Sequence, residues 1–305
     1  MLNNLFWDNI FCTKSTKKKY VLLAAFFSVF LLSTPSESAD VIVVGDTRLK
    51  PVIEILSGIN ETLDFPVKAY SPSAVKGRLK DIAAEEGVRV VIALGRDAMD
   101  EALQLPTSIP VIYDLVVSPS SVSRPNTTGF YMGTPVKEYV ELIRSYLRPI
   151  RRIAVVGSRE LLNVLDATVY PQVASYNVKT PYEFVNTLEH LESVDAIVLL
   201  PDVFLLTATA MEEAYLISFK KRVPLIGLSE KHVKQGALLA LVFDPVNVGR
   251  YIGEKAASAI ISSDLGQYPP FPPRKFELFI NMDTARKMGI SIPVELVKKA
   301  KKIYP

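Results

Sequence analysis

Five consecutive apolar residues, Val90–Leu94, are followed at once by Gly95-Arg96-Asp97. A run this short and this rich in β-branched side chains predicts a strand buried on both faces. Such a strand needs helices on both sides of its sheet, so it constrains the fold more than any other stretch. Gly95 ends the run, and Asp97 is placed to cap a helix with Met99, Ala102, Leu103 and Leu105 on one side. Open α/β sheets bind ligands where a parallel strand gives way to a glycine turn and a helix N-terminus. The N–H groups of such a terminus favour a carboxylate or phosphate.

The same unit recurs along the chain. Val41–Val44 ends in Gly45-Asp46 and precedes a helical stretch with Val52, Ile53, Ile55 and Leu56. Pro66–Tyr70 predicts a short strand, Ser73 the cap of a helix to about Glu86, and Ile109–Tyr113 another strand. The pattern then starts again. Arg152–Val156 ends in Gly157-Ser158, Ala196–Leu200 in Pro201-Asp202, and Pro224–Leu228 in Ser229. These three follow their earlier counterparts at about 110 residues' distance. The expected fold class is α/β, with two Rossmann-like lobes of parallel sheet flanked by helices, although one long sheet would give the same periodicity. A first lobe is expected over 40–128 plus about 244–268, and a second over 129–243 plus about 274–305. Tyr268–Pro273, with four prolines, predicts an extended connector. Phe276–Ile280 predicts a last strand, and Pro293–Ile303 a closing helix with Lys298–Lys302 as its solvated face.

The first 39 of the 305 residues have the pattern of an export signal. Lys14, Lys17, Lys18 and Lys19 precede the apolar run Tyr20–Leu32, and small and polar residues lead to Ala39. Thirteen apolar residues fall short of the roughly 20 that span a bilayer. Glu37 is a poor residue near a cleavage site, so an uncleaved anchor is the alternative. Cys12, the only cysteine, precedes the apolar run, which argues against a lipoprotein and leaves the rest of the chain without thiol chemistry. The expected location is therefore periplasmic or otherwise extracytoplasmic. Four of the 35 basic and two of the 32 acidic residues lie in this leader. The remainder is close to neutral and gives no support for nucleic-acid binding.

No dinucleotide, Walker or nucleophile-elbow motif is present, so an enzyme is not expected. His190 and His232, without cysteine, make a zinc site an unsupported reading, and no cofactor is expected. What recurs is a polar residue just past each strand end: Asp46, Arg96 beside Gly95, Asp114, Ser158, Asp202, Ser229 and Asp244. Each could simply cap a helix or close a turn. Together they converge where a two-lobed sheet protein binds its ligand. Arg96 and Arg159 could pair with a carboxylate, and Asp46, Asp114 and Asp202 could accept from an ammonium or amide. That mix suits a zwitterion such as an amino acid. Tyr113, Phe204 and Phe243 lie near the same ends and could stack on an apolar side chain, although packing explains each as well.

Several strings recur together that resemble a known family. They are Asn126-Thr127-Thr128-Gly129, Asp202 after an apolar strand, Gly236-Ala237-Leu238, Gly249-Arg250 and, above all, Phe279–Pro293 with its Asn281…Ala285-x-x-x-Gly289-Ile290-x-Ile292-Pro293 pattern. The chain resembles the ABC-transporter substrate-binding family that includes tryptophan and tyrosine binders. The resemblance implies the type I periplasmic binding architecture, with Asp202 and the turns at Gly95, Asp114 and Ser229 facing the ligand. It also implies a small-molecule ligand, ABC permease subunits as partners, and a monomer. Two departures stand out: Val41–Tyr70 is short for the family, and Arg96 replaces a small hydroxyl residue. Arg96 would either clamp a carboxylate or narrow the pocket. A periplasmic sensor that presents its ligand to a membrane receptor is the alternative function.

Overall fold

The computed structural model describes residues 39–116, 122–165, 167–265, 271 and 273–305. The expected leader up to Ser38, part of the Ser118–Pro125 loop and most of the Tyr268–Pro273 connector lie outside these residues. Ala39–Pro305 is one compact unit.

Strands β1 (Val41–Val44), β2 (Val67–Tyr70), β3 (Val90–Leu94), β4 (Val111–Val116) and β5 (Thr127–Tyr131) make a first sheet in the order β2-β1-β3-β4-β5. All its pairings are parallel. Four helices connect these strands: α1 (Lys50–Thr62), α2 (Pro72–Val75), α3 (Leu79–Glu86) and α4 (Arg96–Ala102). Side chains alternate across the sheet as the pleat requires. Val41 and Val43 pack with Ile55 and Ile59 of α1, whereas Ile42 and Val44 pack with Leu79 of α3 and Met99 of α4. Each such aliphatic side chain, fully buried, contributes about 1.5–3 kcal/mol.

The chain then crosses to a second sheet. Its elements are α5 (Val136–Tyr146), β6 (Ile153–Gly157), α6 (Arg159–Val164), β7 (Val173–Asn177), α7 (Pro181–His190), β8 (Ala196–Leu199), α8 (Ala208–Lys221), β9 (Leu225–Gly227), α9 (Glu230–Gln235) and β10 (Leu239–Phe243). Helix α10 (Pro245–Ser262) follows, and then β11 (Phe276–Asn281), α11 (Met282–Met288), α12 (Val294–Val297) and β12 (Ala300–Tyr304). The order is β12-β11-β10-β9-β8-β6-β7. Its run β7-β6-β8-β9-β10 repeats the order of the first sheet. One pairing departs from the all-parallel expectation: β11 runs antiparallel to β10.

Helix α10 leaves the second sheet and packs on the first, where Val248, Ile252 and Ala256 join the cluster under α1. The two helices touch backbone to backbone. A Cβ at Gly58 would stand 2.0 Å from the Val246 carbonyl oxygen, and one at Gly249 2.1 Å from that of Ile55. The return path is held beside β5 by Phe271, whose N–H donates to the Gly129 carbonyl at 2.7 Å. Phe130, Tyr251 and Phe271 stack around it.

Four expectations are corrected. The helix after β3 is capped by Gly95 rather than Asp97, because it starts directly at Arg96 and leaves no room for a later cap. The helix expected from Ser73 to Glu86 is two pieces, since Gly77 turns the chain at φ 67° between them, and Ser71 is the first cap. The closing helix is a single turn, α12, followed by edge strand β12 parallel to β11. Lys301 and Lys302 therefore lie on a sheet edge, where lysine discourages further strand pairing. Finally, β5 belongs wholly to the first sheet, so the expected border after residue 128 falls inside a strand. Among the described residues no helix is long and apolar enough to cross a membrane, and no group of three or more His, Asp or Glu is placed to hold a metal.

Candidate functional site

At the C-terminal ends of the first sheet lies a cavity of about 820 Å3. Every strand of that sheet contributes to its wall through the residues that follow or end it. After β1 come Asp46, Thr47 and Arg48, and after β2 come Ser71 and Ser73. Strand β3 contributes Leu94 with Gly95, Arg96 and Asp97, β4 contributes Leu115, and the segment after β5 contributes Met132. A parallel sheet points all these turns the same way, which is why they meet.

Gly95 has φ 101°, a conformation that L side chains rarely adopt. The sharp turn lets Arg96 begin α4 immediately, and the Gly95 N–H donates to the Asp114 carbonyl at 2.8 Å. Arg96 is exposed and lines the cavity. Asp46 accepts from Arg48 three times, from its backbone N–H at 3.1 Å, from Nε at 2.8 Å and from Nη2 at 2.8 Å. The Arg48 hydrogen bonds hold the Asp46 carboxyl down at about 2. Asp46 therefore enters the site already paired, through a partner two residues away that the sequence reading did not single out.

Asp114 is the unusual group. Its side chain is buried, its Oδ2 has no hydrogen-bond partner among the described residues, and burial pushes its carboxyl up to about 7 against one favourable bond from the Leu115 N–H. It sits opposite Leu94 in the β3–β4 ladder, and the next residue, Leu115, lines the cavity. Thr128 Oγ1 on the neighbouring strand is also buried and has no hydrogen-bond partner among the described residues.

The other expected residues lie on the second sheet or at a crossing, and none lines this cavity. Ser158, half-buried, caps α6 by position, without a side-chain hydrogen bond to the helix start. Asp202 Oδ1 accepts from the N–H groups of Phe204 at 3.1 Å and Leu205 at 3.2 Å, which closes the turn after β8. Ser229 Oγ accepts from the His232 N–H and caps α9. Asp244 Oδ1 accepts from the Asn247 N–H at 3.1 Å, capping α10 as the chain leaves the second sheet. Ser158, Asp202 and Ser229 share one edge, since β6, β8 and β9 are adjacent and parallel. That edge approaches the cavity through the first crossing. A Cβ at Gly133, next to Met132, would stand 3.0 Å from Leu165 and 3.4 Å from Pro201. Nearby, Thr134 Oγ1 donates to the Leu241 carbonyl at 2.8 Å. The cavity thus brings together Asp46, Gly95 and Arg96, with Asp114 behind its wall.

Residues 57–304 match the family described as ABC transporter substrate binding protein. The chain belongs to that family. Solved structures of the same architecture include the ABC domain from Streptococcus pneumonia in complex with L-Trp, at 19% identity and TM-score 0.58 over 87% of this chain and 99% of that one. The ligand-free, open structure of CD0873 from Clostridium difficile, a substrate-binding protein with adhesive properties, aligns over the same shares at 13% identity and TM-score 0.64. A conserved domain protein from Vibrio cholerae aligns at 19% identity and TM-score 0.57, again over 87% and 99%. None of the curated proteins compared matches the chain. The fold is that of type I periplasmic binding proteins, and the family is one of solute-binding proteins rather than enzymes. Membership implies a small-molecule ligand and an ABC permease as partners.

Proposed function

We propose that this is an exported solute-binding protein that captures a small zwitterion of the amino-acid class and delivers it to an ABC permease. The observation that carries this reading is the 820 Å3 cavity to which all five strands of the first sheet contribute. Its size lies in the range of small-molecule sites. Arg96 is the partner for a ligand carboxylate, since a guanidinium offers paired donors to its two oxygens. The unpartnered Oδ2 of Asp114 is the acceptor for an ammonium that enters past Leu115. Leu94, Val52 and Met132 supply apolar contact. The L-Trp complex of a structural neighbour supports the ligand class.

Capture proceeds by lobe closure, with no covalent step. Ser158, Asp202 and Ser229 form the opposing wall in the closed state, and Asp244 lies at a crossing about which the lobes turn. The basic and apolar leader supports export to the periplasm, the near-neutral remainder gives no support for nucleic-acid binding, and the family resemblance supports a monomer.

A thermal-shift screen of amino acids on the chain lacking residues 1–39 tests the proposal. A ligand at 100 times its dissociation constant stabilises by about 2.7 kcal/mol. No shift with any amino acid removes this ligand class and leaves the family standing. Arg96→Ser then separates the two roles of that residue. Loss of a charged hydrogen-bonded pair weakens a carboxylate ligand about tenfold or more, whereas unchanged affinity with new acceptance of larger ligands makes Arg96 a filler of the pocket.

A further inference from the structure

The opposite end of the second sheet carries a cavity of different chemistry. It measures about 440 Å3 and lies between α5 and the start of β6. Its floor is Val140, Ile143, Ile150 and Ile153, all buried. Its rim is Arg144, Arg148, Arg151 and Gln172, with no acidic residue. Ile153 is the first residue of β6 and Ser158 follows its last, so roughly 17 Å of extended chain separates this cavity from the ligand edge.

Several arginines in this chain are paired, and others, such as Arg78, Arg159 and Arg222, stand alone among the described residues like those of the rim. Arg48 binds Asp46, Arg89 Asp40, Arg152 Asp195 and Arg250 Glu61, while Arg124 is spent on carbonyl oxygens. The guanidinium groups of Arg144, Arg148 and Arg151 have no hydrogen-bond or ion-pair partner among the described residues. Two acids in the neighbourhood are engaged elsewhere: Glu141, three residues before Arg144 on α5, pairs with Lys137 at 3.7 Å, and Asp195 is held by the chain beside Arg151. Asp195 accepts from the backbone N–H groups of Arg151 at 2.9 Å and Arg152 at 2.8 Å and pairs with the Arg152 side chain. This fixes the main chain under Arg151 and leaves its side chain unneutralised. The preceding turn is equally fixed, with the Leu147 N–H on Ile143 and the Ile150 N–H on Leu147. Arg144 lies in the last turn of α5 and offsets the partial negative charge of the helix end, about half a unit. Two full positive charges remain. Lys299, over the Tyr146 ring at 5.2 Å, adds a further cation beside that turn.

Arg144, Arg148 and Arg151 are exposed residues on one rim; a tetrahedral oxyanion accepts from several guanidinium forks at once, whereas a carboxylate occupies one. We infer that the cavity rimmed by Arg144, Arg148 and Arg151 is a phosphate-binding site separate from the solute cavity. The phosphate is carried either by a soluble compound or by a phospholipid headgroup.

The test uses the full chain and two probes. Inorganic phosphate is titrated calorimetrically, and vesicles of phosphatidylglycerol or of phosphatidylcholine are sedimented with the protein at low salt. Arg144→Gln, Arg148→Gln and Arg151→Gln together are expected to weaken binding of the effective probe at least tenfold, at about tenfold or more per charged hydrogen-bonded contact. A matched triple at exposed Lys76, Lys80 and Lys220, all changed to Gln, removes the same charge elsewhere and leaves binding unchanged. Arg148→Lys keeps the charge, loses the fork and gives an intermediate affinity in a protein with no reason to misfold. Saturable phosphate binding assigns the site to a soluble ligand, and sedimentation with phosphatidylglycerol alone assigns it to a headgroup. Binding of neither probe overturns the inference, as does binding that survives the arginine triple or falls equally with the lysine triple.

Discussion

Asp114→Asn isolates the most costly group in the first sheet. In the unfolded chain an aspartate titrates near 3.8, and in the folded protein burial moves Asp114 to about 7. The folded state therefore holds this proton more tightly than the unfolded state. Its contribution to stability is complete below the unfolded pKa, declines as pH rises between the two values, and is gone above the folded one. At about 1.4 kcal/mol per pKa unit, the total is about 4 kcal/mol, of which roughly 3 kcal/mol falls between about pH 5 and about pH 8. Asparagine has the same shape, does not ionise, and keeps an oxygen for the Leu115 N–H. Its amide leaves a donor where Oδ2 now has no partner, but that cost is the same at every pH. Urea unfolding of both proteins across this range gives the difference in stability at each pH, which cancels the titration of all other groups. The asparagine protein should gain roughly 3 kcal/mol on the native one from the acid to the alkaline end. A difference that stays flat with pH refutes the assignment of a raised carboxyl to Asp114, whatever its absolute size.

Substitutions at two other positions probe the packing and the turns. Gly249→Ala places a methyl group 2.1 Å from the Ile55 carbonyl oxygen, a backbone atom that moves only if α1 and α10 separate; a loss of about 3 kcal/mol in urea unfolding is expected, and a neutral result would show that the helices pack less closely than described. Asp202→Asn retains an acceptor oxygen for Phe204 and Leu205 and should leave stability within about 0.5 kcal/mol, whereas Asp202→Ala should cost about 1–2 kcal/mol. Equal losses in the two variants, measured by thermal unfolding, would show that the charge rather than the turn hydrogen bonds matters there.

The fold was legible where burial on both faces left the chain no choice. Val41–Val44, Val90–Leu94 and Ala196–Leu199 are unbroken apolar runs because helices cover both sides of their sheets, and their spacing carried the repeat that the two sheets display. Pattern failed where a short piece is decided by its neighbours. Ala300–Tyr304 has the lysines of a helix face, yet it forms a strand because β11 offers an edge for Ile303 and Tyr304 to join opposite Ile280 and Asn281. The break between α2 and α3 hangs on one left-handed glycine inside a stretch whose other residues all suit a helix. The antiparallel β11 was not legible at all, since strand direction leaves no mark on composition.

For the cavity, the sequence identifies the turns but not how their polar groups are spent. A turn aspartate that caps its own helix and one that waits for a ligand have the same local sequence. Asp202, Ser229 and Asp244 all satisfy backbone N–H groups, so their oxygens are available to a ligand only in part. Asp46 is spent on Arg48, and a pair at i and i+2 was the available signal, since Asp46-Thr47-Arg48 closes a tight turn. The consequence reaches the ligand. With Asp46 and Arg48 neutralising each other, the cavity wall contains Arg96 and Asp97 as its other ionised side chains, so cations and anions are equal in number. A wall with that balance gives little net attraction to a simple anion, which is consistent with the zwitterion proposed above. The buried carboxyl of Asp114 tips the balance further. It gains most from a ligand that brings an ammonium, because only such a partner lets it ionise without remaining an unpaired buried charge.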